Sequence, residues 1–135
     1  MSRYLLDTSV FSQPLRRKPV LRALERWQKV GDDACAIAQV TVGEVEWGLH
    51  YEGSALRWKK YSELLQNRLH THATSARVWS IFSKMKARQE KLDDPVSDLD
   101  LLIAATAREQ GLIVATLNRQ DFSRIEGLAW ENWSL

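Results

Sequence analysis

The sequence predicts an α/β fold, a central and mostly parallel sheet of about five strands with helices on both sides. Two patterns carry this expectation: short apolar runs alternate with amphipathic helical segments, and the first runs each feed a helix instead of a hairpin turn. Length sets the scale. A chain of 135 residues suits one hydrophobic core, so residues 1–135 are expected to form a single domain with no linker or repeat.

The first run, RYLLD at residues 3–7, ends abruptly at polar DTS and reads as a buried strand entering a loop. Pro14 and Pro19 bracket LRRK as a loop. From Val20 the spacing of Leu21, Leu24 and Trp27 is helical, and Gly31 stops it. ACAIAQV, residues 34–40, reads as a second strand, and TVGEVEWGLHY, residues 41–51, repeats Val42, Val45 and Leu49 at helical intervals. Residues 54–69 form another amphipathic segment, and HTHAT a brief strand or edge. Val78, Ile81, Phe82 and Met85 mark a long helix, which Asp93, Asp94 and Pro95 break. SDLDLLIAATA opens the next helix, which ends near Gly111 and leads into LIVAT, a fourth strand; GLAWENW offers a last edge strand.

Composition excludes several classes. Hydrophobic residues make up 44% and charged residues 27%, as in globular domains, and no apolar run reaches the ~20 residues of a membrane span. The N-terminus lacks a secretory pattern and Cys35 is alone, so a cytoplasmic address with no membrane attachment is expected. A net charge of +2 is compatible with a nucleic-acid partner if the cations cluster. Nothing matches G-x-S-x-G, a glycine-rich phosphate loop, H-E-x-x-H or the D-x-D-x-T loop of a phosphatase. His70 and His72 share a strand face but lack a third ligand, and read as surface residues.

In a parallel sheet the loops leaving the carboxyl ends of the strands gather at one rim, where ligands bind. Asp7 ends the first strand, Glu44 follows the second, and Asn118 and Asp121 follow the fourth. Asp100 lies in the first turn of its helix. At ~100° per residue it shares a face with Ile103, Ala104 and Ala107, whereas Asp98 lies about 160° away and faces outward. An inward carboxylate demands a partner. Each position also has a plainer reading: Asp7 as cap of a helix in TSVFS, Ser97 or Asp98 as N-cap, Thr41 and Glu44 as a capping box, Asp121 as a turn residue. Their coincidence at one rim favours a cluster. Carboxylates without cysteines or paired histidines suit a hard cation, Mg²⁺ or Mn²⁺, and the hydrolysis of a phosphodiester.

LLDTSVF, TVGEVEWG, SDLDLLIAATA and ATLNRQDF, closing with ENW, resemble in order the PIN-domain ribonuclease toxins of VapC-type toxin–antitoxin systems, over nearly the whole chain. The resemblance implies a three-layer α/β/α fold and a metal-dependent endoribonuclease acting on tRNA-like or other structured RNA. It places the acids on Asp7, Glu44 and Asp100, with Thr8 beside the first. The fourth acid falls on Asp121, because Asn118 occupies the position where many members carry an aspartate; Asn118 is then a polar neighbour of the site. It also implies a homodimer and a cognate VapB-type antitoxin that covers the acidic pocket. RNA would be held by Arg16, Arg17 and Lys18, and by Arg57, Lys59 and Lys60 with Trp58 stacking on a base. KMKAR reads as a solvated face, Trp27 and Trp79 as core, and Trp47 and Trp58 as candidates for a protein interface. The alternative is a binding module on the same scaffold, acting within a promoter-bound complex through a DNA-binding partner.

Overall fold

Five short strands form one sheet: β1 (Tyr4–Leu6), β2 (Cys35–Ala38), β3 (His70–His72), β4 (Ile113–Thr116) and β5 (Trp130–Asn132). The computed structural model describes the backbone of residues 1–135 and every side chain except that of Arg119. The strand order is β3-β2-β1-β4-β5 and every pairing is parallel, so the expectation of a mostly parallel sheet becomes an entirely parallel one. β1 pairs Leu6 with Ala115 of β4 and Leu5 with Ala36 of β2.

The sheet is covered on both faces. Tyr4, Leu6, Cys35 and Ile37 face one layer, α1 (Thr8–Phe11), α2 (Leu21–Val30), α3 (Gln39–Glu52) and α4 (Ala55–Leu64), and pack with Phe11, Trp27, Leu49 and Tyr61. Leu5, Ala36, Ala38 and Val114 face the other layer, α5 (Ala76–Lys91), α6 (Asp98–Gln110) and α7 (Arg119–Ser123), and pack with Val78, Met85, Ile103 and Phe122. Ala104, Ala105 and Ala107 are fully buried, and their small side chains let α6 lie close to the sheet.

Helix ends follow local chemistry. Ser97 caps α6, its Oγ accepting from the Asp100 N–H at 3.2 Å, and Gly111 ends the helix in the left-handed conformation at φ 67°. Asp98 is therefore not the cap; it points outward to Lys86 at 2.9 Å. The capping-box reading of Thr41 and Glu44 fails. α3 starts at Gln39, directly where β2 ends, so Thr41 is inside the helix and completely buried. Asp121 lies in α7 rather than in a turn, because burial of Phe122 closes a helical turn there. Trp27 is core, but Trp79 is 50% exposed. Trp58 is half-buried against Tyr61 and His50, ring centroids 5.8 and 4.9 Å away, so it is not a free stacking platform. Among the described residues, no helix is long and apolar enough to cross a membrane.

Candidate active site

From β1 the chain moves outward to β2 and β3, then returns to the other side of β1 as β4. The crevice beyond the carboxyl ends of β1 and β4 is thus the point where connections leave in opposite directions, the usual ligand position in such sheets. Asp7 and Thr116 face each other across it. The Asp7 N–H continues the ladder to Ala115 O at 3.0 Å. Its carboxylate, in a residue only 4% exposed, accepts from three donors: Ser9 Oγ at 2.6 Å, the Val10 N–H at 3.0 Å and Thr116 Oγ1 at 2.6 Å. The Val10 bond caps α1, so capping and membership of the rim cluster hold together. Burial still pushes the Asp7 carboxyl above its ordinary value against those hydrogen bonds, and the Glu44 charge adds to the rise.

The turn after β4 is tied to the same group. Thr116 Oγ1 accepts from the Asn118 N–H at 2.7 Å, and Ser9 Oγ accepts from the Leu117 N–H at 3.0 Å. Glu44, on the sixth residue of α3, accepts from Thr8 Oγ1 at 2.6 Å, which brings it beside Asp7. On the far side of the crevice Asp100 and Asp121 are hydrogen-bonded to each other. Burial, then the Asp121 hydrogen bond and the charges of Asp121 and Asp7, push Asp100 up to about 7. Asp121 goes the other way. Burial opposes its ionisation, but hydrogen bonds from Asp100, Arg124 and Asn118 outweigh that and hold it below the usual carboxylate range. The two carboxyls are thus driven apart in acidity, Asp100 upward and Asp121 downward.

All four acids named from the sequence therefore reach the same crevice, with Thr8 on Glu44 and Asn118 on Asp121. Their side chains do not close into the expected cluster around one cation. Among the described residues, no three acidic, histidine or cysteine side chains gather closely enough to ligate one ion, because each carboxylate turns to a local donor: hydroxyls for Asp7 and Glu44, Arg124 and Asn118 for Asp121. The donor set still fits a hard cation, since Mg²⁺ keeps several waters and takes only one or two carboxylates. Thr116, Ser9 and Arg124 were not singled out from the sequence. Thr116 becomes visible once β1 and β4 are known to be neighbours, and Arg124 once Asp121 is known to be helical, since the two are three residues apart.

Two clefts meet at Thr8, Glu44 and Gly48. One, of about 200 Å³, is lined by Arg16 and Arg57 beside Ser12 and Glu52. The other, of about 750 Å³, is apolar and lined by Trp47, Trp79, Leu99 and Leu102. Gly43 and Gly48 open its floor: a Cβ at either would meet nothing within 4 Å. Arg17, Lys18, Lys59 and Lys60 line neither cleft.

Known proteins resemble this chain in sequence and fold. A model of the PIN domain matches residues 4–128. A ribonuclease VapC2 of Haemophilus influenzae is 29% identical over 133 residues, covering 98% of this chain and 99% of its own. A tRNA(fMet)-specific endonuclease VapC of Shigella flexneri is 28% identical over 134 residues, covering 99% and 100%. Among solved structures, a DNA-bound VapBC complex from Salmonella typhimurium is similar with a TM-score of 0.82 at 26% identity, covering 98% of this chain and 99% of that one. The family match takes in β1 to β4 and all four acids of the crevice, and the chain belongs to the PIN domain family.

Proposed function

We propose that this protein is the toxin of a type II toxin–antitoxin pair, a Mg²⁺- or Mn²⁺-dependent endoribonuclease that hydrolyses phosphodiester bonds in structured RNA. The observation that carries the reading is the acidic crevice: Asp7 buried across the β1–β4 switch point, Glu44 beside it, and Asp100 next to Asp121. Its similarity to ribonucleases and a tRNA-specific endonuclease supports RNA as the substrate class.

Of Asp7, Glu44, Asp100 and Asp121, one or two would ligate the ion directly and the others would reach it through its waters. When bound, it would activate water and neutralise charge at the phosphate. The chain's own part is positional. Ser9, Val10 and Thr116 fix the Asp7 carboxylate in one orientation, and Thr8 does the same for Glu44. Burial and Asp121 push Asp100 up to about 7, so a bound cation would favour its ionisation. Arg16 and Arg57 flank Thr8 and Glu44, and would hold the RNA backbone against the repulsion of the acids. Arg17, Lys18, Lys59 and Lys60 would contribute only long-range attraction.

A VapB-type antitoxin is the proposed inhibitor, supported by similarity to a VapBC complex. A homodimer is proposed through the apolar cleft, where Trp47 is 69% exposed and stacks on exposed Tyr51 at 5.6 Å. The promoter-bound role is compatible with the enzyme, and similarity to DNA-bound complexes from Salmonella typhimurium and Rickettsia felis favours it as a second activity of the toxin–antitoxin pair. The deciding experiment incubates purified protein with tRNA and total RNA in Mn²⁺, with Asp7→Asn and an EDTA control. Cleavage lost in both controls is expected. Equal cleavage by wild type and variant would remove the acids from the reaction.

A further inference from the structure

Asp100 and Asp121 come from helices on opposite sides of β4 in the chain, and two adjacent carboxylates do not stay together unaided. Arg124 links the two segments that carry them. Its Nη2 donates to Asp121 Oδ1 at 2.7 Å, and its Nε to the Gln120 carbonyl at 3.1 Å. Its Nη1 donates to Asp94 Oδ1 at 2.8 Å and to the Pro95 carbonyl at 3.0 Å. One guanidinium thus joins α7, which carries Asp121, to the loop that enters α6, which carries Asp100.

That loop is itself held. Gln89, buried on α5, donates its Nε2 to the Asp94 carbonyl at 2.8 Å, and its main-chain carbonyl accepts the Asp94 N–H at 3.0 Å. Ser97, three residues beyond Asp94, caps α6 on the Asp100 N–H. The path from the core to the acid pair runs Gln89, Asp94, Arg124, Asp121, Asp100. A planar fork can span two acceptors at fixed spacing; an ammonium acts as a point charge.

We propose that Arg124 is a positioning residue of the active site: anchored by Asp94 and Pro95, it holds Asp121 against Asp100 and so presets that end of the cation-holding cluster. The proposal rests on the reading of these acids as metal-holding groups. The sign of its effect on metal binding separates it from a simple charge effect. Removing a cation beside an acidic cluster strengthens binding of a divalent ion when charge alone matters; removing a support weakens it.

The test is Mn²⁺ affinity, by calorimetry or electron paramagnetic resonance, on wild type, Arg124→Ala and Arg124→Lys, with circular dichroism to verify the fold and melting in EDTA. Both variants should bind Mn²⁺ about tenfold or more weakly, as loss of a ligand's hydrogen-bond partner generally does, and kcat on RNA should fall with KM unchanged. Gln89→Met, which leaves every charge in place but loosens the loop that anchors the arginine, should weaken Mn²⁺ in the same direction and decides the matter if the Arg124 variants do not fold. Tighter Mn²⁺ in Arg124→Ala with wild-type behaviour in Arg124→Lys would make Arg124 a counter-charge and overturn the proposal. Unchanged Mn²⁺ affinity with only a lower melting temperature would make it a structural tie, and would overturn the proposal as well. A wild-type protein that takes up no Mn²⁺ would overturn the metal reading itself, and this proposal with it.

Discussion

Replacing Asp100 by asparagine should make the metal-free protein more stable while removing its activity, and the gain should depend on pH in a defined window. In the fold Asp100 is raised from 3.8 to about 7, chiefly by burial and then by Asp121. A carboxyl raised on folding contributes stability that is complete below about pH 4 and lost as pH climbs through about 7, because the folded state binds the extra proton. At face value the rise is worth about 4 kcal/mol, at about 1.4 kcal/mol per unit. Asp100 is only half-buried and acts on Asp121 as Asp121 acts on it, so solvent screening leaves about 1–2 kcal/mol. The amide of Asp100→Asn would donate to Asp121 without ever charging, so the variant escapes this loss. Melting in EDTA across about pH 4 to 9 should therefore show coincident wild-type and Asp100→Asn curves in acid, diverging between about pH 4 and 7, with the variant about 4–8 °C higher above that. A difference that is flat with pH, or that grows towards acid, would refute the account of Asp100 as a repelled acid.

The same geometry sets three further outcomes. Thr116→Val keeps the shape but leaves a buried Asp7 oxygen without its 2.6 Å donor and the Asn118 N–H without its acceptor; a loss of about 2–3 kcal/mol is expected in chemical denaturation. Arg16→Ala and Arg57→Ala should each raise KM for RNA with little change in kcat, and each should flatten the salt dependence of binding by about 0.7 in log–log slope, measured by anisotropy. Trp47→Glu, placed on the exposed apolar cleft, should convert a dimer to monomers in sedimentation without lowering the melting temperature of the subunit.

The fold was legible because its signals are local. Three consecutive buried residues in β1, a serine cap before Asp100 and a glycine after Gln110 are each readable within a few positions. The inward turn of Asp100 follows from helix geometry alone. Thr41 and Glu44 misled because T-x-x-E specifies a helix start only when the threonine backbone is extended; here the chain bends into α3 two residues earlier, as soon as β2 leaves the sheet. Trp79 misled because an apolar stripe records burial in the subunit and in any interface alike. Val78 and Met85 face the core, while Trp79 turns into the cleft with Trp47. The Thr116–Asp7 contact spans 109 positions and depends on strand order, which no local pattern encodes.

The fourth corner of the crevice shows why the least periodic segment carries part of the site. α7 has five residues, too few for a helical pattern to show, yet it supplies both an anchor and an acid. Phe122, completely buried, fixes the helix to the core and so sets where its neighbours point. Asp121 precedes it and meets Asp100, while Arg124, just past the end of the helix, reaches back to Asp94. Deleting the phenylalanine ring would cost about 3–5 kcal/mol as a core cavity, and α7 would lose its main anchor. The charge pattern at this corner is thus upheld by an apolar contact: without Phe122 holding α7 down, Arg124 has no fixed origin from which to bridge, and Asp121 has no reason to remain beside a second carboxylate.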